Sequence, residues 1–255
     1  MFSSSQSFRV HRELCEDLFI FSVSSVRNFK FFVFLYVLLF FVSPPVFTQF
    51  FVERNDEFVA SYPFSTFLLG GIAFLIYISA LKGKIFEEEI LSERQPFFLY
   101  SSNALVAFGA LCLSSVIFEL IAFFAGSKAG LHSVVFPAGF LGKVDFVFGV
   151  ISAAFFEEVI YRFYLPRALK ELLFKVRKNP QNEKINLRLS LIAETASLIL
   201  FALPHLYLGF FGFLNALVCG IILRVCMVKT KMIWISFAVH ALYNFLSFAV
   251  MAAIA

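Results

Sequence analysis

Glu157, Glu158 and Arg162 stand together in an otherwise apolar run that reads Phe155-Phe-Glu-Glu-Val-Ile-Tyr-Arg162. Two of the four histidines, His205 and His240, also fall in apolar runs, and Asn244 follows His240 by four positions. Apolar surroundings raise the pKa of a carboxylate and a nearby histidine lowers it, so the net value can fall where a general base works. His240 and Asn244 share one helical face and can aim at one point in the bundle. Glu158 and Arg162 are four apart with the acid first, the better order for a helical ion pair. Glu157 projects about 100° away and has Arg162 five positions on, which makes it the carboxylate left free. The alternative for the three charges is a buried ionic cluster joining helices, and a membrane histidine often serves only as interhelical glue. His205 comes directly after Pro204, which removes a backbone donor, so a kink opening onto a wet cavity is expected there.

The elements that must position these groups are membrane helices. Of the 255 residues, 60% are hydrophobic and 15% charged, more apolar surface than one soluble core can bury. The 39 phenylalanines lie mostly in the apolar runs and read as membrane filler. At about 20 apolar residues per crossing, seven spans are expected, near 31–52, 64–81, 97–125, 146–166, 191–209, 211–228 and 232–254, with a short or re-entrant eighth possible in 131–142. The fold class is therefore all-α, a polytopic transmembrane bundle. Residues 1–30 form a cytoplasmic N-terminal tail without the pattern of a cleavable signal peptide, and 31–255 a single transmembrane domain with its functional core at about 145–250.

Span 146–166 carries three charges, each costing about 2.5–3.5 kcal/mol at mid-membrane, while its large apolar residues return roughly 5 kcal/mol in all. The charges must be partnered for the segment to insert. Lysine and arginine concentrate in the tail (Arg9, Arg12, Arg27, Lys30), in 82–94, in 167–188 and at Lys229 and Lys231, which places these on the cytoplasmic side and Ala255 outside. On this scheme Glu157 and His240 lie at one depth. His205 fits only if its span begins just past Glu194 or if the turn at 209–212 dips inward. Arg224 is expected to snorkel to the cytoplasmic surface. Glu119, Asn103 and Asn215 read as interhelical hydrogen-bonders, and Tyr161, Tyr207 and Tyr243 as packing or interface residues.

The net charge of +4 is spread over short polar stretches, an orientation signal and a contact for anionic lipid, not a nucleic-acid surface. The four cysteines, Cys15, Cys112, Cys219 and Cys226, have no CxxC spacing and indicate neither a disulfide framework nor a zinc knuckle.

In order along the chain, Glu157-Glu158-Val-Ile-Tyr-Arg162, Phe201-Ala-Leu-Pro-His205 and His240-Ala-Leu-Tyr-Asn244 make EExxxR, FxxxH and HxxxN. This pattern resembles the CPBP family of intramembrane glutamic proteases, also called CAAX protease or Abi enzymes, which includes type II prenyl-protein endopeptidases. The resemblance covers about 145–250. It implies that Glu157 with His205 binds and deprotonates a water, that His240 and Asn244 hold the oxyanion, and that Glu158 and Arg162 brace the helix. It implies no cofactor, a membrane-anchored or prenylated peptide or protein as substrate, and an integral protein of the inner or plasma membrane.

Two rival readings stand beside it. A zinc-dependent membrane protease would use Glu157, His205 and His240 as ligands, although HExxH is missing. A noncatalytic transporter or immunity protein would use the same polar cavity to hold an ion or a partner helix, although no matched broken helices appear in two halves of the chain. The sequence does not choose between a prenylated C-terminus, a bacteriocin leader and an exported-protein tail as substrate.

Overall fold

Apolar runs bounded by Pro, Gly and charge form helices throughout. The computed structural model describes residues 31–44, 46–47, 57–59, 64–81, 96–126, 133–176 and 182–254; the N-terminal tail and the basic segment 82–94 lie outside them. The chain divides into two compact units, Met1–Pro45 and Val46–Ala255. The first contains helix α1, Phe31–Val42, which ends in a π-helical turn at Leu38–Val42.

The second unit holds α2 (Phe64–Leu81), α3 (Phe97–Phe124), α4 (Gly139–Glu157), a π-helical segment (Glu158–Tyr164), α5 (Leu165–Val176), α6 (Glu183–Ala202), a 3-10 turn (Leu203–Leu208), α7 (Gly209–Thr230) and α8 (Ile233–Ile254). Two three-residue strands, β1 (Glu57–Val59) and β2 (Ser133–Val135), pair in parallel with Glu57 opposite Ser133. The protein is thus helical apart from this one pair among the described residues. Within 131–142 the described residues hold β2, a non-helical link and the first turn of α4, not a re-entrant helix.

Four helical runs among the described residues are long and apolar enough to cross a membrane: Phe97–Phe124, Gly139–Lys175, Glu183–Thr230 and Ile233–Ala253. Their outer faces carry large apolar side chains in the open, such as Phe97 at 84% exposure and Phe124 at 81%, which suits a lipid solvent. The chain is a multi-pass membrane protein. The third run is not straight. In a continuous helix Glu194 and Arg224 would stand about 45 Å apart; here they form an ion pair, so α7 folds back along α6. The reversal falls at the 3-10 turn and Gly209, whose φ of 83° and ψ of −179° only glycine adopts without strain.

Helix starts and stops are set locally. The Asn182 side chain accepts the Ile185 N–H at 3.2 Å and caps α6, with Glu183 in the first turn complementing the helix dipole. Between α7 and α8, Lys231 takes a left-handed conformation with φ 53°, and Thr230 donates its hydroxyl to the Cys226 carbonyl at 2.8 Å. Two helix starts differ from expectation. Helix α4 begins at Gly139, not 146, and α6 begins at Glu183, not 191, because the Asn182 cap precedes the apolar stretch.

Ala107 and Leu111 of α3, Cys219, Leu223 and Cys226 of α7, and Val239 of α8 make one buried cluster. Asn215 ties the same helices by polar contacts: it accepts from Ser114 at 2.8 Å and donates to Ser115 at 3.2 Å, while Ser115 also bonds Tyr243. Asn215 is therefore the interhelical hydrogen-bonder expected of it. Asn103 is not, since it donates to the Leu99 carbonyl of its own helix at 2.7 Å, and Glu119 is exposed.

Where α7 crosses α6, a Cβ on Gly220 would meet Phe201 Cδ1 at 3.0 Å and Leu198 Cδ2 at 3.3 Å. A branched side chain there must push the Phe201 ring aside. Gly220→Val is expected to destabilise the protein by about 1–3 kcal/mol, the usual cost of overpacking, measured as a lowered unfolding midpoint in detergent; an unchanged midpoint would contradict this close packing.

Candidate active site

The first motif sits where the helix changes pitch. Pro166 has no N–H to offer the Arg162 carbonyl four residues earlier, and its ring crowds that carbonyl in an α-helix. From Glu158 to Tyr164 the chain widens into a π-helical segment, and Leu165 N–H bonds to the Ile160 carbonyl five residues back. Glu157 is the last residue of α4 and Glu158 the first of the wide turn. All seven residues of that turn are buried.

The two glutamates differ sharply in exposure. Glu158 is completely buried, while the Glu157 side chain keeps 26% of its surface open. Arg162 Nη1 lies 3.4 Å from Glu158 Oε1, so the two make the ion pair their spacing suggests. Among the described residues none of the three guanidinium nitrogens has a hydrogen-bond partner; the group lies over the Phe201 ring with its carbon 3.6 Å from the centroid.

Glu158 has a second partner that lies 82 positions away. His240 Nδ1 bonds Glu158 Oε1 at 2.8 Å, and on the other side of the same ring Nε2 stands 3.6 Å from Glu157 Oε2. That second distance is too long for a direct hydrogen bond. His240 thus bridges the carboxylates, fixed to the buried one and facing the open one.

His205 lies in the 3-10 turn after α6, not within a kinked span, because the α-helix ends at Ala202 ahead of Pro204. Its Nδ1 is 3.0 Å from the Phe201 carbonyl, which can only accept, so Nδ1 carries the proton and Nε2 keeps a free lone pair. The Phe201 ring joins the cluster: its centroid is 5.0 Å from that of His205, 6.5 Å from that of His240 and 5.6 Å from that of Tyr161. Glu157, Glu158, Arg162 and His240 therefore meet directly, His205 joins them through Phe201, and half-buried Asn244 stands one turn beyond His240 on α8.

Arg224 grips Glu194 through both Nε, at 2.7 Å, and Nη2, and its Nη1 donates to the Arg162 carbonyl at 2.8 Å. A half-buried carboxylate and a backbone carbonyl in reach are a better environment than lipid for a guanidinium. Phe201, Glu194 and Arg224 were not singled out by sequence reasoning as parts of the site, although Phe201 was visible as the first residue of FxxxH.

Residues 139–246 match the family described as Type II CAAX prenyl endopeptidase Rce1-like. They form an Rce1-like domain. The match covers less than half of the chain, agrees with the resemblance to CAAX proteases, and encloses α4 to most of α8 with every residue of the three motifs. No curated protein matches the chain, and no solved structure does. The Rce1-like family is a protease family, so the domain supports CAAX-type intramembrane endopeptidase activity. Within the Rce1-like domain, no group of three His, Cys, Asp or Glu side chains among the described residues is arranged to hold a metal ion.

Proposed function

We propose that this protein is an intramembrane endopeptidase that hydrolyses a peptide bond close to the bilayer in a prenylated or otherwise membrane-anchored protein. The observation that carries the reading is the placement of His240 between Glu157 and Glu158 inside the Rce1-like domain. Glu157, the accessible carboxylate, takes one proton of the attacking water, while the Nε2 of His205 accepts a hydrogen bond from its other O–H and orients it. His240, held at Nδ1 by Glu158, presents the Nε2 edge of its ring to the oxyanion as a donor while the tetrahedral intermediate develops. Asn244 supplies a second donor from the next turn of α8, each such donor lowering the barrier by about 3–4 kcal/mol in known hydrolases. The proton held by Glu157 then passes to the leaving amine. Arg162 and Glu158 balance charge at the base of the site.

We read seven crossings, at α1, α2, α3, the continuous α4 to α5 run, α6, α7 and α8, with the catalytic core at about 145–250, the N-terminus cytoplasmic and the protein in an inner or plasma membrane. The basic stretch 167–188, which runs from α5 into the start of α6, is the strongest support for this orientation.

Terminal-peptide proteomics of membrane-anchored proteins from cells with and without the active protein tests the proposal: one set of new termini is expected in its presence, and identical termini in both would sink it. The chemistry runs without a metal. Exhaustive chelation of the purified protein is expected to leave activity within about twofold, since no zinc-bound water is needed; loss on chelation with recovery on added zinc would replace the glutamate mechanism by a zinc one.

A further inference from the structure

The wide turn that carries the first motif leaves a problem of its own making. Arg162 lacks the ordinary helical donor for its carbonyl because position 166 is proline. The carbonyl is nonetheless satisfied, from a helix 62 positions away, by Arg224 Nη1 at 2.8 Å. That contact uses one edge of a guanidinium whose other edge is clamped by Glu194 through Nε and Nη2. Arg224 is 17% exposed and Glu194 36%. The pair thus lies partly buried, where a fixed fork geometry counts for more than on an open surface.

We infer that Arg224, aimed by Glu194, is a positioning residue that locks the π-helical turn and so holds Glu157, Glu158 and Arg162 in register with His240. The physical case has two parts. A π-helical segment bonded five residues back is intrinsically less favourable than the α-helix on either side, so it needs outside contacts to persist. Arg224 provides one at the carbonyl that proline deprives of its partner, and only a planar group with donors on two edges can hold Glu194 and that carbonyl together. A lysine, with one ammonium, can satisfy the carbonyl or the carboxylate but cannot reproduce the fork. Through the turn, the contact reaches the acid that His240 grips, without touching substrate or water itself.

The inference concerns the site whose chemistry is proposed above, and its test includes a readout independent of cleavage. In nanodisc-embedded full-length protein, Arg224→Gln is expected to speed amide hydrogen exchange across 157–166 by about tenfold while 233–254 exchanges as in the wild type. Its kcat is expected to fall about tenfold with KM within about twofold, because substrate binding surfaces are intact while the reacting groups are out of register. Arg224→Lys should fall between the two, and Glu194→Gln, which keeps an acceptor for the fork, should lose less than Arg224→Gln. Exchange at 157–166 unchanged in Arg224→Gln overturns the inference whatever the activity does. Should that variant fail to fold, Arg224→Lys carries the decision, and wild-type exchange across 157–166 in it overturns the inference equally. A wild-type protein that cleaves nothing, yet loosens at 157–166 when Arg224 is changed, would defeat the protease reading and leave the positioning role standing.

Discussion

Glu157→Gln is expected to abolish cleavage, with kcat lowered by about 10²–10⁴-fold, the range that a positioned general base contributes. The amide has the shape of the acid but cannot accept a proton, and at 26% exposure Glu157 is not a buried member of the core whose replacement should unfold the protein. The unfolding midpoint should therefore stay close to that of the wild type, so that lost activity reports chemistry. Cells carrying the variant should accumulate unprocessed substrate. The same mature termini in both cell lines would show that Glu157 is not the base. Glu158→Gln makes an instructive contrast. It keeps an acceptor for His240 Nδ1 but replaces a charge-assisted hydrogen bond by a neutral one, so its loss is expected in kcat through a less firmly oriented ring.

Arg162→Met is expected to have the largest effect on stability. Removing one partner of a buried ion pair leaves the other charge uncompensated, at a cost of about 3–5 kcal/mol. Here the stranded group would be Glu158, completely buried and with Oε2 already lacking a hydrogen bond. The guanidinium also covers the Phe201 ring, a contact contributing about 0.5–2 kcal/mol. The unfolding midpoint in detergent should drop accordingly. The double variant Arg162→Met with Glu158→Gln should be less destabilised than the sum of the single changes, because the stranded charge is gone. A single variant within about 1 kcal/mol of wild type would mean that His240 alone compensates Glu158.

Much of this was legible in the residues. The helix positions at 64–81, 97–124, 209–230 and 233–254 follow from apolar runs and their punctuation, which act locally. The i, i+4 spacing of Glu158 and Arg162 announced their ion pair for the same reason. Less legible was the turn at Pro204. The expected kink is instead the end of α6, because a 3-10 turn and Gly209 follow and let α7 pack back on α6. Proline marks a break but not the direction the chain takes after it.

Sequence by itself determined the inventory: a membrane-spanning helical chain, one accessible and one paired glutamate, two histidines and an asparagine at spacings suited to hydrolysis. These are properties of local hydrophobicity and helical phase, which a short stretch of chain carries without reference to the rest. Only the tertiary structure decided who meets whom. His240, expected at the depth of Glu157, faces Glu157 and is bonded to Glu158, and Arg224 reaches the backbone of the first motif. Both contacts join residues more than sixty positions apart, and both depend on how α7 and α8 pack against the π-helical turn. That packing comes from close approaches such as Gly220 on Phe201 and from a missing N–H at Pro166, whose consequence appears only when a side chain from another helix fills it.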